Sequence, residues 1–476
     1  MAETLDALTE YERRRQENIQ RNQAILAQLR RDAANLSAAF AAGRPKKQTR
    51  ATPTAPAGSP RRSGRARLQP PSSAAASLPS AHLKPRPSHF PISDAFVIEK
   101  VTDVSAPLTS AILAASWPPP ECKVRADEGF DPCCKELVLK PGNVRKLAPT
   151  VIAVARVLPL ADRTVVAAGT CFGHLVFWDA DRPAPARPLR GAGSLRGAAD
   201  GVFKYLPHTG SVAGITAHPS APRKIYSCTR EGEICLMDVE KEIFNMIYLC
   251  DYPAFSLCQA PEHATCLYFG EGNGELKAFD ERAGKVLSKW KLHCDCISSI
   301  DFNTENPNML ATSSLDSTAC LWDLRNMNML KPESLKVVKH KMQVHSAYFS
   351  PSGSFLATTS RDNAVGILSV CDFDNSCFLQ HTSPSRTFKA SWGWNDSDLL
   401  LGTQRDVAII SVDLKDNNIS TSCKARIESE HMTEAPRQFA VHQYRVGYLA
   451  CVGSNRVFLW TPEQDAEQRN VPRLTN

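Results

Sequence analysis

The sequence has 476 residues and a formal net charge of +7, and 43% of its residues are hydrophobic. This length allows a large buried core. No apolar run has the length of a membrane span, and the N-terminus lacks a positive-then-apolar signal sequence, so we expect neither membrane insertion nor export.

The 16 cysteines are scattered and form no paired Cys-x-x-Cys motif. This pattern indicates no zinc site, and without an export signal the thiols are expected to be reduced. We therefore predict no metal and no cofactor.

Positive charge is concentrated in one part of the chain. No acidic residue lies between Asp32 and Asp94, where ten basic residues occur, and subtracting those ten from +7 leaves −3 for the rest of the chain. The basic character therefore belongs to this segment.

Residues 1–32 are predicted to form an N-terminal helix. Leu8 to Arg31 contains no Gly or Pro, and Thr9 and Glu12 have capping-box spacing. Its apolar stripe is narrow. The helix is therefore either solvated or docked on the rest of the chain or on a partner.

Residues 33–91 are rich in Ala, Pro, Ser and Arg, which predicts a disordered basic linker. Two clusters, at 44–47 and 61–67, are typical of nuclear import or nucleic-acid binding. The alternative is a solvated linker. The second cluster supplies four candidate DNA-binding residues: Arg61, Arg62, Arg65 and Arg67.

Residues 92–135 are predicted to be an irregular lead-in, and Glu136 to Lys140 is predicted to be a short strand. This strand precedes the first clear repeat. A closed ring of blades leaves no exposed sheet edge. We therefore assign the strand to the outer position of the last blade.

A repeat with the WD pattern occupies the remainder of the chain. Its marks are Trp178, Met237, Phe279, Trp322, Leu368, Val412 and Trp460. The first step is 59 residues, with an inserted loop at 181–200, and the others are 42 to 48. This spacing predicts an all-β, seven-bladed WD-repeat β-propeller over residues 136–462, followed by a flexible tail at 463–476.

The fourth repeat, around Met309 to Arg325, is the clearest. A His, a strand hydroxyl, a turn Asp and a Trp can form a buried hydrogen-bonded staple within a blade. The predicted staple residues are His293, Ser314, Asp316 and Trp322.

Catalytic motifs are not evident. The sequence has no phosphate-binding Gly-rich loop, no nucleophile elbow and no His-Glu-x-x-His. Asp and His stand at repeat positions where they have a structural role. The sequence thus predicts a binding protein without a small-molecule substrate, not an enzyme.

Two N-terminal stretches, Leu8 to Asn22 and Ile25 to Leu29, resemble the WD-repeat-containing protein 76 and Cmr1 family. Parts of the blades resemble it too, including 168–179, 344–359 and 388–392. That family is related to damage-specific DNA-binding protein 2. The resemblance implies a nuclear propeller that binds DNA or chromatin in the DNA-damage response.

The resemblance also implies an adaptor site. The fourth repeat matches the motif of receptors that bind damage-specific DNA-binding protein 1 in cullin-RING ubiquitin ligases, with Asp323 and Arg325 following the strand. Asp280 and Arg282 repeat the pattern less completely. An ion pair within the blade is the alternative role of Asp323 and Arg325.

The DNA face of the family is partly matched. Arg145 aligns with an arginine that opens the first blade, and Lys389 with a basic residue of the sixth. After the His that opens the fourth blade, this chain has Cys294 and Cys296 where the relatives carry lysines. Residues 380–386 are shorter than the matching segment of the relatives and lack its aromatic element. The resemblance therefore favours DNA binding over lesion readout. The alternatives are a ligase substrate receptor and a plain interaction scaffold.

Overall fold

The computed structural model describes residues 88–97, 108–116, 136–182, 201–219, 221, 223–261, 265–385, 387–415 and 418–463. The predicted N-terminal helix, the basic clusters, most of the inserted loop and the C-terminal tail lie outside these residues.

The described chain begins with short elements ahead of the blades. They are β1 (His89–Pro91), α1 (Ile92–Ala95), α2 (Leu108–Ala114), β2 (Leu137–Val138) and β3 (Val144–Lys146).

Seven antiparallel sheets follow, as the repeat spacing predicted. Blade 1 contains β4 (Ile152–Val157), β5 (Val165–Thr170), β6 (Leu175–Asp179) and β7 (Val202–Tyr205). Blade 2 contains β8 (Val212–Ala217), β9 (Lys224–Thr229), β10 (Glu233–Asp238) and β11 (Ile243–Leu249). Blade 3 contains β12 (Ala254–Gln259), β13 (Cys266–Glu271), β14 (Glu275–Asp280) and β15 (Lys285–Lys291). Blade 4 contains β16 (Ile297–Phe302), β17 (Met309–Ser314), β18 (Thr318–Asp323) and β19 (Lys336–Lys339).

The remaining blades have the same order. Blade 5 contains β20 (Val344–Phe349), β21 (Phe355–Ser360), β22 (Ala364–Ser369) and β23 (Ser376–Gln380). Blade 6 contains β24 (Ser391–Trp392), β25 (Asp398–Gly402), β26 (Asp406–Lys415) and β27 (Asn418–Glu428). Blade 7 contains β28 (Gln438–Val441), β29 (Leu449–Val452) and β30 (Arg456–Pro462).

The ring closes by the exchange that the sequence predicted. Leu137 and Val138 of β2 pair with the end of β30, and β3 pairs with its beginning. A short turn at Pro141–Asn143 separates the two strands, so the outer edge of blade 7 is formed in two pieces. The first strands of successive blades contact one another around the ring, and β28 contacts β4.

The main cores lie between neighbouring blades. Between blades 7 and 1, for example, Trp178 packs with Ala440 and Leu459. Alternate strand residues face opposite sides of a sheet, so fully buried strands such as β5 carry apolar or small residues on both sides. The predicted mark residues therefore fill the interfaces between blades.

The segment before the blades is more ordered than its composition predicted. Strand β1 pairs with β11 as a fifth strand of blade 2, so residues 89–91, which were predicted to belong to the disordered linker, form part of the sheet. Phe90 stacks on Phe244 at a centroid distance of 5.7 Å. Leu108 and Ile112 of α2 are fully buried in the core of blades 1 and 2. Burial against the propeller, rather than local propensity, orders this segment.

The strand order defines two faces. The upper face carries the turns between second and third strands and the loops leading into each first strand, and the lower face carries the other loops. One turn of the upper face requires glycine. Gly274 has φ +83°, and a Cβ there would lie 2.2 Å from the carbonyl oxygen of His293.

Candidate functional sites on the propeller

A buried chain of hydrogen bonds joins the upper loop, turn and inner strands of blade 4. His293 Nδ1 lies 3.0 Å from Asp316 Oδ2, and His293 Nε2 lies 2.8 Å from Thr312 Oγ1. Trp322 Nε1 donates to the same Thr312 oxygen at 2.8 Å. The structure therefore brings together three of the four predicted staple residues, and Thr312 is the hydroxyl between them.

Ser314 is not the hydroxyl of this chain. Its Oγ accepts the Asp316 backbone N–H at 3.1 Å and donates to the Asp295 carbonyl oxygen at 3.1 Å. Side chains alternate along a strand, so Thr312 lies on the same face of β17 as Ser314 but two residues further from the turn. Ser314 thus shapes the turn that presents Asp316.

Asp316 is held in its charged form. Burial alone would raise its pKa, but hydrogen bonds from His293, Thr318 and the Cys294 N–H hold the pKa well below its usual value. The carboxylate consequently has partners on the loop and on the turn, which ties the two together.

Two neighbouring blades vary this arrangement. In blade 2, His208 lies 2.7 Å from Ser227 Oγ and 3.2 Å from Glu233 Oε2, so Glu takes the role of Asp. In blade 3, the buried Lys277 donates to Glu271 Oε1 at 2.8 Å. Blade 3 thus replaces the histidine chain with a buried ion pair.

The candidate adaptor residues lie on the lower face. Arg325 donates through Nε and Nη2 to the two carboxylate oxygens of Asp323, at 3.0 and 2.7 Å. The intrablade ion pair that the sequence left open is therefore present. The Arg325 side chain nevertheless remains 63% exposed. In blade 3, Asp280 Oδ1 accepts the backbone N–H of Arg282, whose side chain is exposed.

The two DNA-binding candidates within the described chain lie apart. Arg145 does not open the first blade: it lies in β3, pairs with Val457 of blade 7 and places its guanidinium 6.0 Å from the Trp178 ring centroid. Lys389 lines the central channel. The tail residues Arg61, Arg62, Arg65 and Arg67 lie outside the described residues.

Sequence reasoning missed a basic group on the upper face, of which three side chains are exposed and that of Arg361 is partly buried. Lys341 and Arg361 lie in the loop and turn of blade 5, Arg405 lies in the turn of blade 6, and Lys339 ends β19, just before the blade-5 loop. Arg361 donates to the Gln343 side chain at 3.0 Å, which joins loop and turn. We call these four side chains the upper basic group. Their place on the same face of neighbouring blades follows from blade order, and a repeat alignment with marked turns could have found it.

Neither a metal cluster nor a membrane helix is found in the described ranges. No group of three His, Cys, Asp or Glu side chains there could hold a metal ion. No helix in the same ranges is long and apolar enough to span a bilayer.

The comparisons with known proteins agree with this architecture. A WD domain, G-beta repeat, matches residues 284–323 and 333–377. The chain is 28% identical over 236 residues to DNA damage-binding protein cmr1 of Aspergillus terreus, and 27% identical over 247 residues to DNA damage-binding protein 2 of Gallus gallus. It is 22% identical over 241 residues to WD repeat-containing protein 76 of Xenopus laevis.

These matches cover 47%, 48% and 50% of this chain and 44%, 45% and 39% of the relatives, respectively, so the chain spans less than half of each relative's length. The fold defines a seven-bladed WD-repeat propeller. Within that class, the chain is similar to Cmr1 and WD repeat-containing protein 76, in agreement with the resemblance seen in the sequence.

Proposed function

We propose that this protein binds duplex DNA, including damaged DNA, in the nucleus, without enzymatic activity. The observation that carries the proposal is that relatives in two groups, one fungal and one vertebrate, are named DNA damage-binding proteins. The structure supplies surfaces that suit this role.

The upper basic group supports contact with the DNA backbone. Lys339 and Lys341 are exposed, and Arg361 and Arg405 extend the group to the adjacent turns. Lys and Arg that neutralise phosphates supply affinity with little sequence information. Asp362 lies in the same turn, but it accepts a hydrogen bond from Ser360. We infer that DNA lies across the upper face of blades 5 and 6.

The earlier candidates have different places in this proposal. The tail residues 61–67 would add phosphate contacts. Arg145 would contribute at the margin, since its guanidinium packs near Trp178. Lys389 would reach only a group that enters the channel, because it lines that cavity.

A salt-series titration with a short duplex tests the proposal. Each phosphate contact contributes about −0.9 to the slope of log affinity against log salt. Replacing both Lys341 and Arg361 with Gln should make the slope less steep by the contribution of roughly two phosphate contacts. Lys285→Gln is the matched control, because Lys285 is exposed on the outer strand of blade 3.

Removing residues 1–87 should flatten the slope further while retaining β1, which begins at His89. Equal slopes for the wild type and the Lys341 and Arg361 double variant would mean that the upper basic group does not contact DNA phosphates. If the wild-type chain binds no duplex at low salt, the DNA-binding proposal fails and the alternative of a plain interaction scaffold remains.

A second candidate function is that of a substrate receptor for a cullin-RING ubiquitin ligase. One observation favours it: the loop after β18 combines the exposed Arg325 with Leu330, which is 95% exposed. The guanidinium keeps donor capacity beyond the two bonds to Asp323. An adaptor could therefore contact a cation and an apolar side chain on the lower face. The two functions use opposite faces and are compatible.

A further inference from the structure

The first strands of the blades enclose a central channel. Its cavity has a volume of about 340 Å³, including the part open to solvent, and residues from all seven blades line it. Most of these residues are small, apolar or neutral. Two are cationic: Arg156 of β4, and Lys389, which lies just before β24.

Arg156 and Lys389 converge on one side chain from blade 5. The guanidinium carbon of Arg156 lies 5.7 Å from the centroid of the Tyr348 ring. Burial alone would raise the pKa of Tyr348, but the charges of Lys389 and Arg156 lower it below its usual value. A blade-1 guanidinium, a blade-6 ammonium and a blade-5 phenol therefore face the same space.

The positive charge at this point is only partly compensated, by the nearby carboxylate of Asp301. Among the described residues, neither Arg156 nor Lys389 has a carboxylate within 4.0 Å. Asp301 is close enough to act on Arg156, but its Oδ2 accepts the Phe349 backbone N–H at 2.8 Å. Cations in a secluded, weakly screened site attract an anion more strongly than exposed cations do.

We propose that the channel binds a small phosphate-type oxyanion between Arg156 and Lys389, with the Tyr348 hydroxyl as a third donor. The guanidinium offers paired N–H donors to two oxygens of one anion, and the ammonium offers a compact charge to another. The site is separate from the upper basic group proposed to bind DNA.

Calorimetric titration of the full chain with inorganic phosphate, at constant ionic strength, tests the proposal. Lys389→Met keeps the length of the side chain and removes its charge. Loss of one charge-assisted hydrogen bond should weaken phosphate binding roughly tenfold or more. Lys285→Met removes the same charge from the outside of blade 3 and should leave binding unchanged.

Tyr348→Phe provides a second variant that keeps the ring beneath Arg156 and removes only the hydroxyl. It should weaken binding by less than Lys389→Met does, since a neutral donor contributes less than a charged one. Thermal unfolding of each variant establishes that the propeller remains folded. The proposal fails if the wild type shows no saturable binding at millimolar phosphate, or if Lys389→Met and Lys285→Met bind phosphate equally.

Discussion

Replacing Thr312 with Val tests the role assigned to the hydrogen-bonded chain of blade 4. Valine keeps the branched shape but removes the oxygen that accepts from Trp322 and contacts His293. All three side chains are at least 96% buried, so water cannot readily replace the lost partner. The change leaves His293 Nε2 and Trp322 Nε1 without the hydrogen bonds that they now make to Thr312.

The expected loss follows from these two nitrogens. A buried polar group left without a partner costs roughly 1–3 kcal/mol. The two costs are not additive because they share one oxygen, so Thr312→Val should lower the free energy of unfolding by about 2–4 kcal/mol. Denaturant titration measures this as a lower midpoint with an unchanged slope.

Thr304→Val is the matched control for this measurement. Thr304 is exposed and donates one hydrogen bond to the Pro351 carbonyl oxygen at 2.7 Å. Its loss should change the free energy of unfolding by only about 0.5 kcal/mol, as for most surface substitutions. If Thr312→Val is as stable as the control, the hydroxyl does not hold the blade together.

Further substitutions probe individual blades. Asp316→Asn should destabilise the protein at neutral pH. Folding lowers the pKa of Asp316, so the difference in free energy of unfolding between the wild type and this variant should have its full size above about pH 4. The difference should shrink as acid protonates the wild-type carboxylate, which denaturation at a series of pH values measures. Lys277→Met should lower the free energy of unfolding by roughly 3–5 kcal/mol, because it leaves Glu271 buried without its cation. Adding Glu271→Leu to Lys277→Met should recover most of that loss, as measured by denaturant titration. Trp322→Ala should lower the free energy of unfolding by about 3–5 kcal/mol. Arg325→Ala should instead preserve the unfolding midpoint and reduce co-purification of a ligase adaptor. Undiminished co-purification of the adaptor would contradict the partner proposal.

The blade pattern was predictable because it is local. Each mark residue lies in the second half of a third strand, and the strand pairs precede it at nearly constant spacing, so sequence distance alone located the seven sheets. The staple was predictable only in part. Thr312, Ser313 and Ser314 offer three consecutive hydroxyls, and the register of β17 against β18 selects the one that faces Trp322.

Apart from the strand that closes the ring, features that depend on distant pairing were not predictable. The stretch His89–Pro91 becomes a strand only because the edge of β11 is available to it. Arg156 and Tyr348 are far apart in the chain, and closure of the ring brings them together in the channel. The upper basic group likewise exists only once blades 5 and 6 are adjacent.

The central claim, DNA binding governed by phosphate contacts, is tested most directly by competition between ultraviolet-irradiated and intact duplexes of one sequence at two salt concentrations. Phosphate contacts position a protein on DNA without reading a lesion. We therefore predict that both affinities fall steeply and in parallel as salt rises, and that they stay within roughly tenfold of each other. A preference of about 100-fold for the irradiated duplex that persists at high salt, in a chain lacking residues 1–87, would contradict the claim, since phosphate contacts cannot supply it.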